Sequence, residues 1–467
     1  MHRHTSTLLA LVLLVVFGIG LCVGQTHENH RVTQLPGYGP LDPLVSYAGY
    51  MKVTSKDDDG SGGERKGGIF YWFYEKENST GQAVQDIPIV LWVNGGPGCS
   101  AMIGCFEETI GPFTVGDDLQ LAYNPHTWIQ KFHVLFIDQP LGTGFSYAGN
   151  EASYTNNEKQ VSLDMYHALH SFFQLHPKYK DCDLYLAGES YAGKYLPEIA
   201  LRIVTTESTD NHLVKILKGV AIGDGFSSPI LQRMIKGDQA YFGGLISQKQ
   251  NNQLKSIEAQ CIRSVHNRNT TEQDTPCAEM KSFIQLTSGL INNYDIRRFD
   301  PSTNKVRMEQ FLNLPETREA IHATEADSEH LKDKYVSCNS DKVYYHLRHD
   351  IMRDVRGIFP ILARHIKVLL FSGNFDLQDG PVGTEHYVLS VANQLGQYSQ
   401  SPRNLWFVDE DVAGYEQTFA NFTFISAFGS GHFYPLDQQR NARSMMESFT
   451  SNRPFCSPGQ SIKIKYL

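Results

Sequence analysis

The chain has 467 residues, and 41 lysines and arginines against 50 aspartates and glutamates give a formal net charge of −9 at pH 7. This acidic balance argues against nucleic acid and anionic lipid as partners. The length suffices for two or three average domains, or for one large α/β core that carries an insertion.

The N-terminal residues have the pattern of a secretory signal peptide, which we predict over residues 1–24. The basic start His2-Arg3-His4 precedes an apolar run from Leu8 to Leu21, and small residues permit cleavage near Gly24. A membrane anchor is the alternative, but the apolar run is short for a transmembrane span. We therefore expect the mature protein to travel the secretory pathway without a membrane segment, and either secretion or delivery to a lysosomal or vacuolar lumen fits this pattern.

Glycosylation sequons and cysteines fit the same route. Sequons occur at Asn78, Asn269 and Asn421, and exported chains form disulfides in an oxidising compartment. Of eight cysteines, Cys22 falls within the predicted signal peptide. The remaining seven are an odd number, so at least one thiol is unpaired or pairs between chains, and a homodimer stays open.

Strands and helices alternate in residues 25–225, the predicted first part of the core. Two entering strands, Tyr47–Val53 and Ile69–Tyr74, flank Asp57–Gly63, a sequence typical of a flexible hairpin loop. Helical spacing appears at Val161–Phe173. Further runs are continuously apolar and of strand length, namely Ile89–Val93, Val134–Ile137, Leu184–Ala187 and Val220–Ile222. The alternation predicts an α/β fold with a mostly parallel central sheet flanked by helices.

The pattern changes in residues 226–345, which we interpret as a largely helical insertion and name the cap. This stretch has few strand-like runs, many polar residues and helical periodicity around Phe311–Ala323. Cys261 and Cys277, sixteen positions apart, are a predicted local disulfide within it. Strands resume at Val368–Phe371 and Phe422–Ile425, in residues 346–467, the predicted second part of the core.

A strand, a sharp turn and a helix surround Ser190. Gly188-Glu-Ser-Tyr-Ala192 matches the nucleophile-elbow pattern, with alanine at the last position, which must be small. This turn would lift the Ser190 hydroxyl off the sheet and aim the backbone N–H of Tyr191 at an oxyanion. Gly144–Gly149 has nearly the same letters around Ser146, but it lacks the adjoining strand and helix, so we predict Ser190 as the nucleophile.

The two strands predicted in the second part of the core each lead to a residue of catalytic type. Asp376 follows one and His432 the other, at the carboxyl ends where α/β sheets place their sites. The order Ser190, Asp376, His432 is that of an α/β-hydrolase triad. In such a triad His432 would take the serine proton as general base, and Asp376 would orient the imidazole. Asp379, one turn further on, competes with Asp376 for this role.

Seven blocks of the sequence, between about Leu41 and Phe449, carry a family resemblance. They are Trp92–Ser100, Asp138–Tyr147, Gly188–Gly193, Gly219–Gly225, Leu312–Glu316, Gly373–Asp376 and Gly431–His432. With these blocks the chain resembles the serine carboxypeptidase family, within its vitellogenic-carboxypeptidase-like branch. The resemblance implies an α/β-hydrolase fold and a peptidase that releases C-terminal amino acids from peptides or proteins through an acyl-enzyme. No metal or organic cofactor is implied, because a triad and oxyanion N–H groups suffice.

The resemblance also implies roles for the residues around the nucleophile. Gly96 would supply a second oxyanion N–H beside that of Tyr191. Asn94, Gly95, Glu189 and a glutamate after the glycine-rich loop would bind the substrate's terminal carboxylate.

That second glutamate is where the chain departs from the family spacing. The family places it two residues before a Gly-Pro pair, whereas here Thr109 and Ile110 precede Gly111. Either one residue is inserted and Glu108 still reaches the site, or the second carboxylate is lost and this stretch is a solvated helix face. We choose Glu108.

A pair of glutamates that binds a carboxylate has to hold a proton. Two ionised glutamates would repel the substrate, and their closeness and burial raise one pKa so that the proton stays between them. A peptide α-carboxyl stays charged under the same conditions. Peptidase activity should therefore be greatest in mildly acidic solution and fall as the pH rises.

The resemblance further implies a disulfide between Cys99, in the glycine-rich loop, and Cys338, and it leaves Cys105, Cys182 and Cys456 unassigned. At Asp379 the family often has a cysteine, so the charge of the pocket differs here. Two other functions compete with the peptidase. One is acyl transfer to an alcohol by the same triad, and the other is a non-catalytic binding or protective protein, which the intact Ser190, Asp376 and His432 set disfavours.

Overall fold

The computed structural model describes residues 27–57, 63–207, 211–267, 276–299, 305–324, 334–451 and 453–455. The predicted signal peptide, most of the predicted hairpin loop, the sequon at Asn269 and Cys456 lie outside these ranges. Within them, no helix combines the length and the apolar character needed to cross a membrane.

Twelve strands of the described residues form one sheet. In chain order they are β1 Arg31–Val32, β2 Ser46–Lys56, β3 Glu64–Tyr74, β4 Ile89–Val93, β5 His133–Ile137, β6 Tyr147–Ala148, β7 Leu184–Glu189, β8 Leu217–Gly223, β9 Lys367–Gly373, β10 Arg403–Val408, β11 Asp411–Phe419 and β12 Phe422–Ala427. The order across the sheet is β1-β2-β3-β5-β4-β7-β8-β9-β12-β11-β10, with β6 paired to β3.

Helices occupy the connections between these strands. They are α1 Glu158–Leu175, α2 Ala192–Thr205, α3 Leu213–Ile216, α4 Pro229–Met234, α5 Lys236–Phe242, α6 Gln248–His266, α7 Pro276–Thr287, α8 Lys305–Leu312, α9 Pro315–Ala320, α10 Tyr345–Leu347, α11 Phe359–Leu362, α12 Pro381–Val391, α13 Tyr434–Asp437 and α14 Gln439–Ser451. One-turn 3-10 segments and two π-helical segments, Ile103–Glu107 and Ser340–Tyr344, complete the described helical structure.

The centre of the sheet is parallel and its two edges are antiparallel. Strands β5, β4, β7, β8, β9 and β12 pair in parallel. The pairs β2–β3 and β3–β5 at one edge, and β12–β11 and β11–β10 at the other, are antiparallel. Parallel strands need helical crossovers, which cover both faces of the sheet. The predicted α/β class, with its mostly parallel sheet flanked by helices, is confirmed.

Alternation along the central strands builds two hydrophobic cores. In β7, Leu184 and Leu186 pack into one cluster together with α1 and α2, while Tyr185 and Ala187 pack into the other with α14. Successive side chains of a strand point to opposite faces, so a strand that is covered on both faces must be apolar throughout. This is why the central strands were visible in the sequence as continuous apolar runs.

Two of the differences between the described structure and the sequence prediction concern an edge of the sheet and the predicted cap. The antiparallel strands β10 and β11 were missed, because their burial is partial and their residues are mixed in polarity. The periodicity at Phe311–Ala323 belongs to two helices, since Pro315 lacks an N–H donor and starts α9 as a new helix. Helices α4–α9 fall within residues 226–345 and no main-sheet strand does in the described ranges, but the boundaries of the cap stay a prediction.

Buried ionisable groups give the fold a pH dependence. Burial raises the pKa of Asp138 to about 6, of Glu108 to about 7 and of Glu158 to about 8. The folded chain then binds more protons than the unfolded chain, so stability falls as the pH rises from about 4.5 through these values. Burial lowers the pKa of His30 and His133 to about 4. The unfolded chain then binds more protons at these two histidines, so their contribution makes stability rise with pH up to about 6.5. We expect maximal stability in mildly acidic solution.

Replacing Glu158 by glutamine should flatten this decline. Without an acid at this buried position, the free energy of unfolding should lose roughly 1 kcal/mol less for each pH unit between pH 5 and 8. Urea unfolding at several pH values measures the slope, and Glu410→Gln, at an exposed position, should keep the wild-type slope. An unchanged slope in Glu158→Gln would contradict the assignment of a buried, protonated carboxyl there.

Candidate active site

The turn that carries Ser190 is a strained connection between β7 and α2. Ser190 has a φ of 61°, in the left-handed region that costs energy for a residue other than glycine. A Cβ at Gly188 would lie 2.4 Å from the carbonyl oxygen of Val93 and 2.9 Å from the Cβ of Ala192. The strand and the helix therefore approach so closely that only small residues fit on either side of the serine. Ser190 itself is partly exposed at the tip of the turn.

Ser146, the competing serine, lies in a loop and is used structurally. Its hydroxyl donates to the carbonyl oxygen of Asp138 at 2.5 Å and accepts from the backbone N–H of Phe70 at 2.7 Å. Since the Ser146 side chain is buried and its hydroxyl both donates and accepts a hydrogen bond, it is not available as a nucleophile.

An imidazole and a carboxyl group meet at the carboxyl ends of β12 and β9. His432 Nδ1 lies 2.8 Å from Asp376 Oδ2, and both side chains are buried. Asp376 also accepts the backbone N–H groups of Gln378, at 2.6 Å, and Asp379, at 3.0 Å. Asp379 therefore contacts Asp376 through its backbone, and it is Asp376 that contacts the imidazole.

The other nitrogen of His432 is the one that can act as a base. Among the described residues His432 Nε2 has no hydrogen-bond partner, although it is buried. Burial alone would lower the pKa of His432, but the carboxylate of Asp376, its hydrogen bond and the charges of Asp379 and Glu108 together raise it. The site thus stabilises the imidazolium that forms when a base accepts a proton.

The glycine-rich loop after β4 lies directly against the Ser190 turn. A Cβ at Gly95 would lie 2.4 Å from the backbone nitrogen of Tyr191 and 2.8 Å from the Cβ of Ser190. Gly96 has a φ of 110°, which glycine alone adopts readily. Gly96, Ser190 and Tyr191 line one cavity of about 380 Å³, so the two predicted oxyanion donors lie beside the predicted nucleophile.

Asn94 joins two buried glutamates. Its Nδ2 donates to Glu108 Oε1 at 2.7 Å and to Glu189 Oε1 at 3.2 Å. Its Oδ1 accepts from the indole N–H of Trp92 at 2.9 Å and from the backbone of Gly104 at 3.1 Å, which fixes the orientation of the amide. Glu108 is thus brought to Glu189, although the sequence spacing had left this open.

The two glutamates share a proton. Burial raises the pKa of Glu108 to about 7, and burial together with the charge of Glu108 raises that of Glu189 well above its usual value. The carboxyl groups hydrogen-bond to each other, which requires that one of them be protonated. The outer oxygens, Glu108 Oε2 and Glu189 Oε2, have no protein hydrogen-bond donor among the described residues.

A π-helical segment explains how Glu108 reaches the site despite the extra residue. Residues Ile103–Glu107 form this segment, and Glu108 follows it directly. A π-turn holds one more residue than an α-turn, so it takes up an insertion without moving the flanking chain. Thr109 then has a φ of 59°, a strained conformation of the kind found at functional sites.

The walls of the cavity come from parts of the chain that carried no site motif. The described lining residues from the predicted cap and the segments after it are Phe226, Arg233, Ala278, Lys281, Ser282, Gln285, Tyr294, Tyr344, Ile351, Gln378 and Asp379. Charges of both signs are present, since Arg233, Lys281 and Asp379 all line the cavity. Sequence reasoning identified only Asp379 among them, from its departure from the family pattern.

Lys194 fixes one wall to the helix behind Ser190. Its buried Nζ, on α2, donates to the carbonyl oxygens of Asp350, Ile351 and Arg353 at 2.5 to 2.7 Å. Burial lowers the pKa of Lys194 to about 8, while the charges of Glu158 and Asp350 favour the ammonium form. Ile351 is the residue of this segment that lines the cavity.

Two disulfides join cysteines in the described part of the chain. Cys99–Cys338 joins the glycine-rich loop to the far end of the predicted cap, reinforced by a backbone hydrogen bond from Asn339 to Gly98 at 2.8 Å. Cys261–Cys277 joins α6 to α7. Cys105 and Cys182 are buried free thiols. The sequons at Asn78 and Asn421 are exposed, and their glycosylation stays a prediction.

Comparisons with known proteins agree with this geometry. The family model described as serine carboxypeptidase matches residues 36–452. The chain is 32% identical over 396 residues to a probable serine carboxypeptidase CPVL of Dictyostelium discoideum, covering 83% of this chain and 76% of the relative. It is 32% identical over 437 residues to the protein of that name from Homo sapiens, covering 90% and 86%. The crystal structure of Kex1(delta)p, a prohormone-processing carboxypeptidase from Saccharomyces cerevisiae, matches in fold with a TM-score of 0.77 at 24% identity, covering 92% of this chain and 97% of the other.

Proposed function

This chain belongs to the serine carboxypeptidase family and is a serine-type carboxypeptidase, and we propose that Ser190 is the nucleophile through which it releases C-terminal residues from peptides. The observation that carries this assignment is the cluster of Asn94, Glu108 and Glu189 beside the Ser190 turn. A hydrolase of general acyl substrates has no need of a protonated carboxyl pair at its nucleophile, whereas an enzyme that recognises a free terminal carboxylate does.

The proposed acylation step uses five groups. His432 Nε2 accepts the proton of the Ser190 hydroxyl as the serine oxygen attacks the scissile carbonyl carbon. The negative oxygen of the tetrahedral intermediate accepts hydrogen bonds from the backbone N–H groups of Gly96 and Tyr191. Asp376 stabilises the imidazolium, which then donates its proton to the nitrogen of the leaving amino acid.

Deacylation repeats these steps with water. The free amino acid leaves, a water molecule loses its proton to His432, and its oxygen attacks the acyl-enzyme carbonyl. Collapse of the second intermediate returns the proton to Ser190 and releases the shortened peptide. Throughout acylation the terminal carboxylate of the substrate accepts hydrogen bonds from the backbone at Gly95 and from the proton held by Glu108 and Glu189. It also accepts one from Asn94, whose Nδ2 exchanges one of its two glutamate bonds for the substrate.

The pH dependence of cleavage should report on the glutamate pair. Catalysis needs a neutral His432, which sets the acid limb, and a pair that keeps its proton, which sets the alkaline limb. Because burial raises the pKa of Glu108 to about 7 and that of Glu189 well above its usual value, kcat/KM for a free-acid peptide should fall as the pH rises above about 7. The pKa of His432 is raised as well, so the maximum should lie in weakly acidic to neutral solution, between the acid limb of His432 and the loss of the shared proton.

A matched amide separates the two ionisations. A blocked dipeptide amide lacks the carboxylate, so its slow cleavage should follow His432 alone and should not fall with the glutamate pair. The ratio of acid to amide cleavage, measured from pH 4 to 9, should therefore decrease with pH. A profile for the acid that is flat from pH 5 to 8, or a ratio that does not change, would contradict the proposal.

We extend the proposal to the secretory pathway that the protein follows and to its domain organisation. The signal-peptide pattern of residues 1–24 and the two disulfides support passage through the secretory pathway. The helical content of residues 226–345 supports their description as a cap inserted between two parts of an α/β core.

A further inference from the structure

A second buried acid, Asp224, lies next to the triad and has no part in the mechanism above. It directly follows β8, the strand between β7, which leads to Ser190, and β9, which leads to Asp376. Asp224 is fully buried and has a φ of 43°. Its backbone N–H donates to Phe371 at 2.8 Å, and its carboxyl oxygens accept the N–H of Gly373 at 3.0 and 3.3 Å. Both of these bonds are made to β9, so the carboxyl is held in place from two sides.

The carboxyl of Asp224 contacts the acid of the triad. One side-chain ligand atom from each of Asp224, Asp376 and His432 lies within 4.8 Å of the others, and the two carboxyl groups are hydrogen-bonded. Besides these groups, the carboxyl of Glu189 and the phenol of Tyr434 face Asp224. Two carboxyl groups that touch in a dry site cannot both be ionised, so one of them carries a proton.

The hydrogen-bond donors around the pair decide which carboxyl is protonated. Asp376 accepts the backbone N–H groups of Gln378 and Asp379 and lies 2.8 Å from the imidazole of His432, so its oxygens already face three donors. Within the described part of the chain, Asp224 accepts the backbone N–H of Gly373 and no other donated bond. Burial, followed by the charge of Asp376, raises the pKa of Asp224 well above its usual value. The proton therefore resides on Asp224.

We propose that Asp224 is a positioning residue of the triad, which donates a hydrogen bond to Asp376 and so holds that carboxylate in line with His432. This inference rests on the proposed function of Ser190, Asp376 and His432. The donated bond spreads the charge of Asp376 and makes it a weaker partner for the imidazolium. His432 consequently becomes neutral, and able to act as a base, at a lower pH than it would beside an unsupported carboxylate.

Two substitutions at Asp224 separate this role from packing. Asp224→Asn keeps the shape, accepts from Gly373 and still donates to Asp376 through its amide, whereas Asp224→Ala removes the donor. The rate at which a fluorophosphonate labels Ser190, measured from pH 4 to 8, reports the neutral fraction of His432 and does not depend on binding of a peptide carboxylate. Thermal unfolding of each variant is measured alongside.

The labelling rate should fall at low pH as His432 becomes protonated, and we call the pH of half-maximal labelling on this side the acid limb. We expect the acid limb to stay within about 0.3 pH unit of wild type in Asp224→Asn and to move up by about one pH unit in Asp224→Ala. Labelling of Asp224→Ala at pH 5 should then fall about tenfold and recover near pH 8. Asp164→Asn is a control for lost stability. Asp164 lies on α1, is buried, and forms an ion pair with Arg65 at 2.9 Å. It should lower the unfolding temperature and leave the acid limb in place.

An unmoved acid limb in Asp224→Ala, with wild type labelled normally, would overturn the inference alone. If Asp224→Ala does not fold, Asp224→Asn decides the matter. A folded Asn variant whose acid limb moves by one unit or more, or which is not labelled, would overturn the inference as well. A wild-type protein that is neither labelled nor active would instead contradict the proposed function, and the inference would fall with it.

Discussion

Replacing Ser190 by alanine should lower kcat/KM on a blocked dipeptide by about 10⁴-fold or more. The hydroxyl is the only group in the proposed mechanism that forms a bond to the substrate, and the oxyanion donors and carboxylate site that remain supply only the residual rate. The assay is release of the C-terminal residue at pH 5 by the purified mature protein, and covalent labelling by a fluorophosphonate is the second readout. Labelling should disappear completely in the variant.

The matched control is Ser146→Ala, in the sequence that resembles the elbow. Ser146 is buried and bonded to Phe70 and Asp138, so its loss should cost some stability while labelling and peptide release are kept. Labelling that persists in Ser190→Ala, or that is lost only in Ser146→Ala, would show that the nucleophile lies elsewhere.

The second large effect is expected at the carboxylate site. Glu108→Ala should raise KM for a free-acid dipeptide by roughly 10- to 100-fold, the value of one or two hydrogen bonds to a charged group. Cleavage of the corresponding amide, and labelling of Ser190, should change little, because the triad is untouched. Glu108→Gln, whose amide can donate at any pH, should keep more of the affinity and lose part of the alkaline decline.

Glu107 offers a control one residue away. Its carboxyl is partly exposed and faces Arg307 and Lys305 instead of Asn94. Glu107→Ala should therefore leave KM within about twofold of wild type. A loss in Glu107→Ala equal to that in Glu108→Ala, or an equal loss on acid and amide substrates, would mean that Glu108 does not bind the terminal carboxylate.

Much of the fold was predictable because the central strands are covered on both faces. Burial on two sides demands continuous apolar runs such as Ile89–Val93, and the turn after β7 demands small residues at Gly188 and Ala192. These are local requirements, so they appear directly in the sequence. The partly exposed strands β10 and β11 have no such requirement and were missed.

The site was predictable where one residue follows one strand, and less so where distant segments meet. Asp376 and His432 follow β9 and β12, and the order of these residues along the chain was sufficient to propose them as triad members; the structure places their side chains 2.8 Å apart. The position of Glu108 depends on a π-helical segment, whose extra residue cannot be distinguished from an insertion by spacing alone. Asp224 was passed over because its partner, Asp376, is 152 positions away and only the sheet order brings them together.

The hydrogen bonds of Lys194 distinguish two parts of the cavity wall that should tolerate substitution to different degrees. At Ile351 the backbone is bound to the helix behind Ser190 by a buried ammonium, so a shift there would disturb the nucleophile. On α7, Lys281, Ser282 and Gln285 reach the cavity from a helix that is tied to α6 by Cys261–Cys277. We therefore expect substitutions on α7 to change which peptides are accepted, and to affect the rate of bond cleavage less than substitutions at Ile351 do.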